Sequence, residues 1–106
     1  MLDLDEVREQ LRIEAEDTSD TLLGRYVGAA VRRFQARTLR QLYRTAGDVP
    51  DPAPANALVL EDDVVLALLL LVGHWDKNRE AATDLRLAPV PQGFEELAAP
   101  YRWWPD

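Results

Sequence analysis

The chain has no cysteine, and it has only one histidine (His74), one serine (Ser19) and one methionine. The lack of cysteine excludes disulfide scaffolds, cysteine nucleophiles and zinc–thiolate sites. A single histidine leaves no partner for a multi-histidine metal centre. Ser19 sits among helix-capping residue types with no histidine nearby, so no acid–base–nucleophile set can be assembled, and neither an enzyme nor a cofactor is expected. No glycine-rich phosphate loop is present. Gly24 and Gly28 fall inside a helical pattern with no preceding strand and read as close helix-contact positions. Long apolar runs are also missing: the longest, residues 64–72, has nine residues, far below the ~20 that span a bilayer. No basic start followed by an apolar stretch and a small-residue cleavage site is visible, so no leader is expected. These absences point to a soluble, intracellular domain.

The remaining composition is ordinary for a globular protein, with 47% hydrophobic and 29% charged residues in 106. A domain of this length buries a modest core, and oligomerisation would help it. The net charge of −7 is unevenly spread. Residues 1–20 hold eight acids and two arginines, residues 21–47 hold six arginines and no acid, and residues 48–106 hold eleven acids and four bases. An acidic–basic–acidic chain can pair with copies of itself, and is a poor general ligand for nucleic acid.

Periodicity predicts an all-α fold, a small bundle of about four helices. Asp3 caps a first short helix, with Glu6 three residues on as in a capping box and Leu2 and Val7 placed as a hydrophobic staple. The acidic stretch 14–20 then breaks the pattern, and Ser19 or Asp20 caps a long second helix. Leu23, Val27, Ala30, Val31 and Phe34 form its apolar face, with Arg25, Arg32, Arg33 and Arg37 off that face. A bend or break is expected near Thr38, with Leu39 and Leu42 serving another contact. Pro50, Pro52 and Pro54 forbid helix in the next loop, which has room for a short strand at residues 57–60. Glu61, Asp62 and Asp63 suit the start of a third helix. This helix is apolar on every side and should be the buried centre, with Leu68, Leu69, Val72 and Trp75 in the core and part of its surface turned to a neighbouring subunit. Pro89 and Pro91 precede a last short helical turn anchored by Phe94 and Leu97. Residues 1–99 therefore read as a helical domain and residues 100–106 as an extended tail.

Two features have alternative readings. The arginines of helix two form either a solvated face with ion pairs between subunits or a contact for nucleic-acid phosphate, which guanidinium geometry suits. Tyr101, Trp103 and Trp104, beside Arg102, either fold back onto the core or anchor another protein, since tryptophan, tyrosine and arginine dominate binding energy. Asp62 and Asp63 resemble an acid pair, but a helix start explains both. His74, between an apolar run and Trp75, reads as structural.

The run Leu69-Leu-Leu-Val-Gly-His-Trp-Asp-Lys-Asn-Arg-Glu80 and the later Pro91-Gln-Gly-Phe-Glu-Glu-Leu-Ala-Ala-Pro-Tyr-Arg102 together resemble the head–tail connector (adaptor) proteins of long-tailed phages. In that family a hydrophobic helix typically ends in His-Trp-Tyr-x-Asn-Arg-Glu, and the chain closes on a Leu-x-x-Tyr-Arg pattern. The short capped helix, acidic turn and long helix with Tyr26 and Ala29-Ala30 fit as well, so the likeness covers nearly all the chain outside residues 45–60. Two positions depart: Asp76 stands where the family usually has an aromatic, and Thr38-Leu-Arg replaces Thr-Gly-Arg.

The resemblance implies a non-enzymatic virion protein at the head–tail junction, present in the host cytoplasm during assembly. It implies a ring, commonly a dodecamer, beneath the portal protein. The ring extends the DNA channel, passes DNA without sequence specificity and docks a tail-side stopper or tail-completion protein. It assigns residues Pro100, Tyr101, Arg102, Trp103 and Trp104 to portal binding. Arg32, Arg33 and Arg37 are then expected at the subunit interface or the channel. The rival is a small helical nucleic-acid-binding regulator using the arginine face, and a weaker third option is an enzyme subunit or antitoxin-like partner. A helix-turn-helix regulator needs a short turn between helices two and three, and the proline-rich loop stands against it.

Overall fold

A computed structural model describes residues 1–78 and 91–105. Pro89, the Arg79-Glu80 end of the helix-three motif, and Asp106 lie outside the described residues. Four α-helices are seen among them: α1 (Leu4–Leu11), α2 (Asp20–Thr38), α3 (Asp62–Lys77) and α4 (Gln92–Ala98). Two three-residue strands, β1 (Gln41–Tyr43) and β2 (Ala57–Val59), pair in parallel between α2 and α3. The helical bundle is as the periodicity predicts. The β2 strand falls in the expected loop, while β1 takes residues 41–43, just past the break expected near Thr38.

Capping residues set the helix starts. Asp3 accepts a hydrogen bond from the Asp5 N–H at 2.9 Å, one residue earlier than a box with Glu6 would use. Ser19 Oγ accepts from the Leu22 N–H at 3.1 Å and starts α2. Between them Arg8 ties the acidic turn together: its guanidinium reaches the Glu14 and Thr18 carbonyls and the Asp20 carboxylate, the last at 2.7 Å. Thr18 is fully buried there, and its hydroxyl donates to Asp76 Oδ1 at 2.6 Å. The aspartate that departs from the family pattern thus joins the end of α3 to the start of α2.

The break at Thr38 is sharp. Leu39 takes up a left-handed conformation (φ 60°, ψ 26°), and its N–H closes the helix on the Gln35 carbonyl. A glycine would hold that conformation without a Cβ clash, so leucine at this position carries strain. Leu39 itself is exposed, so of the two leucines expected to serve another contact only Leu42 does, buried at the strand pair. The strands are positioned by side chains as well as by each other: Gln35 Oε1 accepts from the Leu42 N–H and Asn56 Nδ2 donates to the Leu39 carbonyl.

The core lies where α2, α3 and α4 meet. From α2 come Leu23, Tyr26, Val27, Ala30 and Phe34; from α3 Val64, Ala67, Leu68, Leu69, Leu71, Val72 and Trp75; from α4 Phe94 and Ala98. Phe34 and Phe94 meet edge-on with ring centres 6.3 Å apart, the favoured geometry for an aromatic pair. Outside α2's own backbone, no atom of the described residues lies within 4 Å of where a Cβ would stand at Gly24 or Gly28. Among the described residues, therefore, no second helix makes the close contact expected of them. On α3 two leucines remain open to solvent, Leu66 at 54% and Leu70 at 41% exposed.

Burying an unpaired carboxylate costs several kcal/mol, against a total stability of about 5–15 kcal/mol. Leu68→Asp is therefore expected to unfold the chain and Leu66→Asp to leave it folded, as measured by circular dichroism and thermal melting. Leu39→Gly relieves the left-handed strain at an exposed position and should raise the urea midpoint by an amount equivalent to ~1 kcal/mol. An unchanged or lowered midpoint would count against the strain.

Candidate assembly surfaces

The segment assigned to partner binding folds in two directions. Ala99–Tyr101 forms a 3₁₀ turn after α4, which aims the Tyr101 ring at Phe34, 6.2 Å away. The Tyr101 hydroxyl donates to Asp63 Oδ1 at 2.5 Å, and the same oxygen accepts the Val64 N–H at the start of α3. Arg40 Nε donates to the Tyr101 carbonyl at 2.8 Å, and the Trp103 N–H donates to the Thr38 carbonyl at 2.8 Å. Residues 101–103 are thus fastened to the broken end of α2 and the start of α3. Trp104 turns outward and is 73% exposed, with the Arg102 guanidinium 4.8 Å from its ring centre. At that range the pair makes a cation–π contact that stiffens the exposed end.

Asp63 acts on Tyr101 electrostatically. The hydrogen bond to its carboxylate, then burial, then the negative charges of Asp63 and Glu61 push the Tyr101 phenol up to about 12. Sequence spacing gave no hint of this pair, because the two residues are 38 positions apart.

The arginines of α2 separate into two groups. Arg37 is half-buried and holds Glu95 of α4 at 2.6 Å. Arg32 and Arg33 are exposed, as is Arg25 about two turns earlier, and among the described residues none of the three has an acid within ion-pair distance. His74 is half-buried near the end of α3, its Nε2 buried without a hydrogen-bond partner, and its carbonyl accepts from Asn78. Beside it, an open groove of about 440 Å³ runs between the end of α1 and α3, lined by Leu11, Ile13, Leu69, Leu70 and Gly73 among others. No group of three metal-ligating side chains comes together among the described residues, and no described helix is long and apolar enough to cross a membrane.

Among the described residues, apolar and cationic side chains stand open on the surface while the polar clusters hold the fold together. Residues 1–102 match the family of phage gp6-like head-tail connector proteins, and the chain belongs to that family. It is therefore a structural protein of the phage head–tail connector. No curated protein and no solved structure matches it.

A raised phenol stabilises the fold fully below its unfolded value near 10, and the contribution is lost as pH rises from about 10 to about 12. Stability measured by urea unfolding should fall over that window in the native chain. In Tyr101→Phe the fall should be smaller, after a loss of about 1 kcal/mol at neutral pH. Identical alkaline profiles for the two proteins would show that the Asp63 contact is not made in solution.

Proposed function

We propose that the chain works as a ring beneath the portal, continuing the channel through which DNA leaves the head and giving the tail or stopper protein a surface to dock on. The observation that carries this reading is the open apolar surface of a chain in the connector family: Trp104, Leu66 and Leu70 stand in water although the fold has an intact core. Large exposed aromatics and leucines on a folded domain mark surfaces that another protein covers. In this reading residues Pro100, Tyr101, Arg102, Trp103 and Trp104 form the portal-binding tail. Trp104 fills an apolar pocket of the portal, Arg102 orients it, and Tyr101 and Trp103 tie the tail to the body of the subunit. Arg32 and Arg33 face a neighbouring copy or the channel, where DNA passes without sequence being read.

The regulator reading is not favoured. Residues 39–61 and the parallel strand pair separate α2 from α3, where a helix-turn-helix would need a turn of a few residues.

The test is capture of the chain by the portal ring of the same phage. Trp104→Ala removes an exposed side chain, so it should leave the melting temperature unchanged. It should weaken portal capture strongly, because a buried interface tryptophan is worth about 2 kcal/mol or more and the loss is repeated around a ring. Capture equal to that of the native chain would remove Trp104 from the portal contact.

A further inference from the structure

Two charged faces of this chain have no partner among the described residues. The outward side of α2 carries Arg25, Arg32 and Arg33, all exposed and none paired among the described residues. The outward side of α1, opposite the buried Val7, carries Asp5, Glu6 and Glu9, likewise exposed and unpaired. Each face points away from the chain's own core, so one copy cannot bring the two together. We propose that the arginine face of α2 receives the acidic face of α1 from the next copy, and that this head-to-tail contact is the joint between neighbouring subunits. The inference rests on the ring reading and names the partner of its arginine surface.

Size supports the match as well as sign. An α-helix rises about 1.5 Å per residue, so Arg25 to Arg33 covers about 12 Å, the length of the eight-residue α1. The surface beside the arginines is made of small residues: Gly24 and Gly28, one turn apart, and Ala36, all exposed. Glycine inside a helix is less favourable than alanine, and among the described residues nothing outside α2 occupies the space that a Cβ would fill at either position. A second helix lying across α2 uses that space, and its carboxylates then reach the arginines from close range.

A phosphate backbone would also suit the guanidinium groups. It would leave the acids of α1 unmatched, however, and would bring a polyanion to a chain of net charge −7. Pairing with a second copy neutralises both faces at once. Because the faces differ, each joint leaves one free face of each kind for the next, which is how a heterologous contact closes into a ring.

Charge reversal gives a test with an internal control. One variant carries Arg25→Glu and Arg32→Glu, the other Asp5→Arg and Glu9→Arg; all four positions are exposed, and circular dichroism confirms the fold. Self-association is read by sedimentation velocity at low ionic strength, free and on the isolated portal ring of the same phage. Each variant alone should associate about tenfold more weakly than the native chain or worse, since like charges then face each other. An equimolar mixture should recover association, because each reversed face then meets a face of opposite sign. Gly28→Leu, which keeps every charge, should also weaken it.

Association of both variants at the native level overturns the joint while leaving the ring reading standing. So does a mixture that fails to recover. Loss of binding to a 30-base-pair DNA duplex by the Arg25→Glu, Arg32→Glu variant, with association unchanged, would assign the arginines to DNA instead. A native chain that stays monomeric both free and with the portal ring overturns this joint and the ring reading together.

Discussion

The nine apolar residues from 64 to 72 require cover around their helix, and this requirement organises the rest of the molecule. Among the described residues the other helices cover much of that helix, and Leu66 and Leu70 stay exposed. α2 lies along one flank with Leu23, Val27, Ala30 and Phe34, and α4 closes another with Phe94 and Ala98. The tail finishes the job at the end of the helix, where Tyr101 caps Phe34 and bonds Asp63 in the first turn of α3. A chain of this length has no further element among its described residues to lay over Leu66 and Leu70.

The same constraint explains why the tail has two faces. Tyr101 and the Trp103 backbone are held by the groups exposed where α2 stops: the Thr38 carbonyl, left over by the helix end, and the Arg40 guanidinium. The break at Leu39 is therefore not a local accident. It ends α2 at the point where its last carbonyls are needed by the tail, and it releases residues 41–43 to pair with residues 57–59. Trp104, one residue beyond the last of these bonds, has the Arg102 guanidinium over its ring and stands 73% exposed.

Much of this was legible in the sequence. The caps at Asp3 and Ser19, the apolar face of α2, the break near Thr38 and the central burial of α3 all follow from local spacing, because each depends on residues within a turn or two of one another. What spacing could not show were contacts between distant parts. Thr18 with Asp76, Arg37 with Glu95, and Tyr101 with Asp63 join elements far apart in the chain, and nothing local marks them. The β1 strand was hidden for a related reason: Leu42 is apolar at a helical interval from α2, and only the left-handed turn at Leu39 removes it from that helix. The arginines were partly legible. The sequence separates them from the apolar face but does not show that Glu95 occupies Arg37 while Arg25, Arg32 and Arg33 have no acidic partner among the described residues.

The central claim is that this fold is completed by its neighbours in the connector. Electron cryomicroscopy of the head–tail junction in intact virions tests it most directly. The account predicts a ring of these chains between the portal and the tail, with Leu66, Leu70 and Trp104 each covered by another protein or another copy. Virions whose junction lacks the chain, or contains it with all three side chains facing solvent, would contradict it.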